Sequence, residues 1–396
     1  LTKLTAVRGS FVRPSARRRG RLAAAWLLLT GLVAAAPAAA NPYLVVDLNS
    51  GAVLSERQSF DPWYPASITK LMTTYVTLSA MAAGEIKGDS GVVMTAAAAK
   101  QPPSKMGFKP GTVITVDTAL KIIMVKSAND VAQALGERVG GSLPAFVDRM
   151  NAAARSLGMT GTHYANANGL PDPNQWTTAR DYAVLARALL TRFPAYRDIY
   201  RITALSLGGT IIKNHNNLLE RFPGADGMKT GFICAAGFNV VASANRDGRQ
   251  VLAVVLGGAT ARARDEQAAG LIEAAFRAPV AAGRPSLDTL RPSGAVATSV
   301  ADVRDLACPK RKGKRPVGED LDDGAAAGDS QQDSFLVPRF KVMDPVPIFL
   351  GGASDMPDPP VETTATATAT TTATATPASD GSAKLPPADP RRKKRK

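Results

Sequence analysis

The stretch Pro65-Ala66-Ser67-Ile68-Thr69-Lys70-Leu71-Met72-Thr73-Thr74-Tyr75-Val76-Thr77-Leu78 decides how the rest of the chain is read. It has no Gly and, after Pro65, no Pro, and Leu71, Tyr75, Leu78 and Ala82 recur at helical spacing. On a helix, residues i and i+3 share a face, so the Ser67 hydroxyl and the Lys70 amine are placed to meet. Pro65 and Ser67 are also ordinary helix-start residues. A serine in the first turn lies among free backbone N–H groups at the positive end of the helix dipole, a field that stabilises a developing alkoxide. A partly buried lysine beside it is a candidate general base. Alone, Ser-x-x-Lys is a weak signal.

Two further stretches strengthen it. Lys126-Ser127-Ala128-Asn129-Asp130 contains Ser-x-Asn, and Gly227-Met228-Lys229-Thr230-Gly231 contains Lys-Thr-Gly. The three elements follow one another about 60 and then about 100 residues apart, in the chain order shared by penicillin-binding proteins and class A β-lactamases. On these residues the chain resembles a low-molecular-mass penicillin-binding protein, a serine-type D-alanyl-D-alanine carboxypeptidase of peptidase family S11. The likeness runs from about Asn41 to Phe276. It includes Tyr43–Asp47, Met106–Gly111, Asn166–Asp172 and Val254–Gly258 followed by Arg264. Ala128, where many relatives have Gly, and Phe232-Ile233-Cys234 after Lys-Thr-Gly depart from the pattern without removing a functional side chain.

The 48 basic and 33 acidic residues give a net charge of +15, but the excess is local. Residues 1–40 carry Lys3, Arg8, Arg13, Arg17, Arg18, Arg19 and Arg21 and no acid, and Arg391 to Lys396 are all basic. A basic n-region, an apolar run from Leu22 to Ala36 and Ala38-Ala39-Ala40 read as a signal peptide over 1–40, cleaved before Asn41. That places the protein outside the cytoplasm, in the periplasm or cell envelope. The apolar run is too short to favour a spanning helix. Cys234 and Cys308 fit an exported chain, in which they most simply pair with each other. His163 and His215 stand alone, so neither a metal nor any other cofactor is called for.

Along the chain, residues 43–48 and 52–57 alternate around Asn49-Ser50-Gly51 as a hairpin. Loops rich in Pro and Gly follow the Ser67 helix, with Met106 to Gly111 expected at the rim of the site. Residues 117–195 read as mainly helical, and Thr178-Ala179-Arg180-Asp181 resembles a capping box. After Gly224 the period changes: Gly227–Gly231 begins a strand, Phe238–Ala244 and Arg249–Leu256 flank Arg246-Asp247-Gly248, and Arg262 to Phe276 is a last helix. Strands at both ends with helices between them predict an α+β domain over 41–279. One antiparallel sheet is drawn from both chain ends and set against a helical lobe. The resemblance implies the same, the serine transpeptidase or β-lactamase-like fold. Residues 280–396 are rich in Pro, Ala and Thr and read as a mostly disordered basic tail, dispensable for folding. One apolar island within it, Phe335–Leu350, is suited to docking on the domain or a partner.

The resemblance implies a substrate, peptidoglycan stem peptides ending in D-Ala-D-Ala, and β-lactam antibiotics as inhibitors. It assigns Ser67 as nucleophile, Lys70 as its base, Ser127 as proton relay, and Asn129 as the group that holds the peptide amide and orients Lys70. Lys229, Thr230, Gly231 and Phe232 line the substrate site, with the N–H groups of Ser67 and Phe232 as oxyanion hole. Arg264, ahead of the neighbouring Arg262, joins Thr230 in binding the terminal carboxylate. A β-lactamase is the nearest rival. Class A enzymes add a glutamate after the second motif, and this chain has none between Glu137 and Glu220. Endopeptidase activity on the same acyl-enzyme is a further alternative. A non-catalytic role for the basic runs is the reading from another class. They lack interleaved aromatics and follow an export signal, which argues against nucleic acid and leaves peripheral contact with envelope polymers.

Overall fold

The structure, a computed structural model, describes residues 41–279, 281–309 and 334–356. The expected signal peptide, the Lys310–Arg315 cluster, the Thr/Ala run and the basic end lie outside them. β1 (Tyr43–Asp47) and β2 (Val53–Arg57) form the opening hairpin. A 3-10 turn, Ala66–Thr69, leads into α1 (Lys70–Ala82). The helical lobe around α1 is completed by α2 (Ala96–Ala99), α3 (Val116–Val125), α4 (Asn129–Gly140), α5 (Leu143–Ser156) and α6 (Ala179–Arg192). The two-stranded ribbon of β3 (Gly91–Val93) and β4 (Val113–Thr115) lies at its edge. The hairpin of β5 (Ala204–Leu207) and β6 (Thr210–Lys213) and the short α7 (Leu218–Arg221) return the chain to the sheet. There β7 (Ala225–Ile233), β8 (Gly237–Arg246) and β9 (Arg249–Gly258) precede α8 (Ala261–Arg277).

The main sheet has the order β2-β1-β9-β8-β7, antiparallel throughout, so the first strand of the domain pairs with its last, Tyr43 opposite Val255. Strand alternation sorts β9 between two cores. Val251, Ala253 and Val255 face α8, which approaches closely because it presents Ala268, Ala269, Ile272 and Ala275. Leu252, Val254 and Leu256 face the helical lobe. Burial on both faces is why this strand reads as an unbroken apolar run.

Helix α1 departs from a simple stripe. Every residue from Lys70 to Leu78 is buried, because the helix runs through the middle of its lobe. Its threonines tolerate this by bonding inward: Thr74 Oγ1 donates to Lys70 O at 2.9 Å, Thr77 Oγ1 to Thr73 O at 2.8 Å, and Thr73 Oγ1 to Ala167 O at 2.6 Å. The helical reading of 117–195 also needs correction. Residues 157–178 are irregular, as Asn166, Asn168, Gly169, Pro171 and Pro173 there favour turns. At its end Thr178 Oγ1 caps α6 by accepting from Asp181 N at 3.1 Å. Asp181 does not close the capping box; it turns instead to Gly161 N and Thr162 Oγ1, both at 2.8 Å.

Packing continues past residue 279, which differs from the expectation of a mostly disordered tail. Residues 285–287 bond to the opening hairpin, Val53 N to Pro285 O and Leu287 N to Gly51 O, both at 2.9 Å. Beyond them α9 (Arg304–Ala307) ends at Cys308, which is disulfide-bonded to Cys234 in the β7–β8 turn. The apolar island 334–356 is a strap. Phe335 lies over Gly270 of α8, Leu336 enters the outer core, and Phe340 N donates to Glu220 O at 2.9 Å. Then β10 (Val346–Pro347) adds a parallel strand to β5, and Asp355 accepts from Gly91 N at 2.6 Å and pairs with Arg138. The strap thus joins the outer helix of the sheet to the far side of the helical lobe.

Candidate active site

Ser67 stands in the 3-10 turn that opens α1, not in the α-helix itself. In a 3-10 turn residues i and i+3 eclipse, and Lys70 Nζ donates to Ser67 Oγ at 3.0 Å. The fully buried Lys70 amine also donates to Asn129 Oδ1 at 2.9 Å and to the Asn168 carbonyl at 2.6 Å. Asn129 opens α4 and is fixed by the neighbouring loop: its Nδ2 donates to Pro102 O at 3.0 Å and its backbone N to Ser104 O at 2.7 Å. Next to it the buried Asp130 carboxylate accepts from Met106 N at 3.1 Å and Gly107 N at 2.9 Å. The rim expected from Met106 onward therefore begins at Pro102.

Two residues of this cluster have left-handed backbones, Ala66 (φ 50°) and Ser127 (φ 61°). Such a conformation costs a non-glycine residue about 1–3 kcal/mol and persists only where its surroundings enforce it. Around Ala66 the enforcement is visible. A Cβ on Gly169 would lie 1.9 Å from the Ala66 carbonyl oxygen, and one on Gly231 would lie 2.8 Å from the backbone N of both Ser67 and Ile68. Asn239 of β8 completes the brace, donating to Tyr64 O at 3.0 Å and Pro65 O at 3.1 Å while accepting from Gly257 N at 2.9 Å. The Ser67 turn is thus clamped between a loop of the helical lobe and the last strands of the main sheet.

Strand β7 is the sheet edge beside this turn. Gly231 abuts the turn, and Lys229, two residues earlier, shares its face. Lys229 is buried and donates to Thr230 O at 2.8 Å. Ser127 Oγ and Thr230 Oγ1 are buried without a hydrogen-bond partner among the described residues, a costly state unless a ligand or water serves them. At the near end of β7, burial raises the Asp226 carboxyl, against hydrogen bonds from Ser243 and Gln250 that act in the opposite direction. At the far end, Phe232 stacks on Phe238 with ring centroids 4.1 Å apart, and the Arg264 guanidinium lies 6.0 Å from the Phe238 centroid. Arg264 is almost fully buried and pairs with Asp265 at 2.8 Å, whereas Arg262 is half-exposed and 3.9 Å from Glu266.

Of the expected site residues, then, Lys70 is in direct contact with both Ser67 and Asn129, and Gly231 abuts the Ser67 turn. Ser127, Lys229 and Thr230 are buried, and Arg264 lies over Phe238, which stacks on Phe232. Sequence reasoning assigned no role to Asn168, Gly169 or Asn239. Asn166–Asp172 entered only as part of the family likeness, and Asn168 contributes a backbone carbonyl, which no side-chain pattern reports. Asn239 is hidden inside an apolar strand.

Residues 31–260 match the D-alanyl-D-alanine carboxypeptidase family, peptidase S11. The chain is 34% identical over 285 residues to the D-alanyl-D-alanine carboxypeptidase DacA of Escherichia coli (strain K12), covering 66% of this chain and 71% of that one. Among solved structures it is similar to penicillin binding protein 5 from Haemophilus influenzae, with a TM-score of 0.57 and 32% identity over 60% of this chain and 70% of that one. It is also similar to penicillin-binding protein D2 from Listeria monocytogenes in a cefotaxime-bound form, with a TM-score of 0.55 and 28% identity over 60% of this chain and 97% of that one.

Proposed function

Because the chain belongs to the D-alanyl-D-alanine carboxypeptidase family of serine peptidases, we propose that the Ser67 cluster performs this reaction on peptidoglycan stem peptides during cell-wall remodelling. The single observation that carries the assignment of residues is the Lys70 amine, buried and in contact with both Ser67 and Asn129. Ser67 Oγ attacks the carbonyl carbon of the penultimate D-Ala as Lys70 takes its proton. The Ser67 and Phe232 N–H groups hold the oxyanion, where losing one donor typically costs about 3–4 kcal/mol. As the C–N bond breaks, Ser127 passes a proton to the leaving D-Ala nitrogen, with Lys229 supplying positive charge nearby. Thr230 and Arg264 bind the terminal carboxylate. Water then hydrolyses the ester and frees Ser67. Penicillin acylates the same hydroxyl, and without a glutamate to drive deacylation the adduct is long-lived.

The catalytic domain is assigned to residues 41–279, with residues 281–309 and 334–356 packed against it and a leader cleaved after Ala40 ahead of it, so that the enzyme acts in the cell envelope. No helix among the described residues is long and apolar enough to cross a membrane. The basic tail makes peripheral contact with anionic envelope polymers. Intact-mass measurement with penicillin, and D-Ala release from a diacyl-Lys-D-Ala-D-Ala tripeptide, test the assignment. A penicillin adduct without D-Ala release would count against the carboxypeptidase reading of this chain.

Lys229 and Arg264 differ in the effect expected of their loss. Lys229→Ala removes a buried cation beside the proton relay and lowers penicillin acylation and peptide turnover together. Arg264→Ala raises KM for the peptide about ten-fold or more, the scale of one lost charge-assisted carboxylate bond. It leaves penicillin acylation less affected. Complete loss of penicillin acylation in Arg264→Ala would contradict a carboxylate-binding role.

A further inference from the structure

The Lys70 amine takes its direction from a loop that contains no acid or base of the proposed reaction. The described hydrogen bonds of Nζ run to Ser67 Oγ, Asn129 Oδ1 and the Asn168 carbonyl. For the amine to accept the Ser67 proton, its lone pair must face Ser67, so its N–H bonds must be held by the two carbonyl oxygens. Asn129 is held by its own loop. The Asn168 carbonyl is held by a polar knot whose centre is Gln175, a residue only 2% exposed.

Gln175 Oε1 accepts from the backbone N of Ala165 and of Asn166, both at 3.1 Å. Its Nε2 donates to Asn166 Oδ1 and Leu170 O, both at 3.3 Å. Asn166 Oδ1 in turn accepts from Gly169 N at 2.8 Å and Asn168 N at 3.3 Å, while its Nδ2 donates to Leu170 O at 3.1 Å. Every polar atom of the two side chains is spent on backbone within Ala165–Leu170 or on the other side chain. The segment so closed presents two successive carbonyls to α1, Ala167 to Thr73 and Asn168 to Lys70.

We infer that Gln175, acting with Asn166, is a positioning residue for the general base: it sets the Asn168 carbonyl, and through it the direction of the Lys70 lone pair. This rests on the reading of Lys70 as the base that serves Ser67. A displacement of about 1 Å in a catalytic constellation can cost up to a hundred-fold in rate. The polar atoms of the knot are taken up by one another and by the backbone of Ala165–Leu170, so its loss is expected to act on the chemical step and not on binding.

The test is pre-steady-state acylation by a fluorescent penicillin, which separates the maximal acylation rate from the dissociation constant of the preceding non-covalent complex. Gln175→Met and Asn166→Ala are expected to slow maximal acylation by about ten- to a hundred-fold, with the dissociation constant within about two-fold of wild type and one adduct still formed per molecule. Asn166→Asp keeps the Oδ1 acceptor for Asn168 and Gly169 and should recover most of the rate. Wild-type acylation rates in folded Gln175→Met and Asn166→Ala overturn the inference. So does a loss confined to the dissociation constant or to the fraction of active molecules. If Gln175→Met does not fold, the Asn166 pair decides. Lys70→Ala tests the underlying reading separately. An active Lys70→Ala sinks the base assignment, whereas an inert Lys70→Ala beside a normally acylating Gln175→Met sinks only the role of the knot.

Discussion

Ser67→Ala yields a folded protein that releases no D-Ala and forms no penicillin adduct. Alanine is accommodated without strain, because the turn is held by Gly169, Gly231 and Asn239 and not by the serine hydroxyl. What disappears is the atom that Lys70 contacts at 3.0 Å, and no second hydroxyl contacts that amine among its described hydrogen bonds. Deleting the nucleophile of a serine enzyme typically removes on the order of 10^3–10^6 of its rate, with the remainder supplied by binding and the oxyanion donors. Thermal melting within about 2 °C of wild type, together with absent labelling, is the expected pair of results. An adduct elsewhere on the chain, located by peptide mapping, would remove Ser67 from the mechanism.

Removal of everything after residue 279 produces a destabilised, aggregation-prone protein. Composition alone suggests the opposite, since the tail reads as solvated. In the fold, however, Leu287, Leu290, Leu336 and Ile348 are 0%, 6%, 7% and 3% exposed, and full burial of such a side chain contributes about 1.5–3 kcal/mol. Part of that gain is offset by the cost of ordering the segments, so a net loss on the order of 3 kcal/mol is expected. The truncation also uncovers apolar surface on α8 and the β5 edge, and it leaves Cys234 without Cys308. Urea unfolding of the two forms decides it. An unchanged midpoint and unchanged solubility would show that the strap and the segment before it contribute nothing.

How much of this was legible before the fold was known depended on the kind of group involved. Ser67, Lys70 and Asn129 were legible because their side chains make the contacts, the first two at helical spacing and Asn129 within a Ser-x-Asn element. The strands were legible where alternation or turn chemistry marked them, as in the opening hairpin and around Arg246-Asp247-Gly248. Three kinds of information were not. Backbone carbonyls such as that of Asn168 have no sequence signature. Asn239 lies in an apolar strand, where the Tyr64 and Pro65 carbonyls that need it come from far away in the chain. The strap was legible only as an apolar island suited to docking, and its path depends on contacts with distant surfaces: Phe335, Leu336 and Ile348 are too sparse to form a core of their own, yet each finds a place on one already built. Its exposed Phe349 and Leu350 leave a composition that looks like solvated chain.

The pairing of the first strand with the last also carries a consequence in time. Contacts between residues about two hundred positions apart must wait for a long loop to close, which slows folding relative to local structure. The nucleophile turn and α1 belong to the first part of the chain, whereas Gly231, Asn239 and the strand opposite Tyr43 arrive much later. A chain emerging from its N-terminus therefore holds Ser67 and Lys70 early but lacks the brace that fixes their turn. Such a chain is expected to stay inactive until β9 pairs with β1. Chains stalled before residue 249 should take no penicillin label, and full-length chains should take it once folded. Labelling of the shorter chains would show that the helical lobe organises the turn without the sheet.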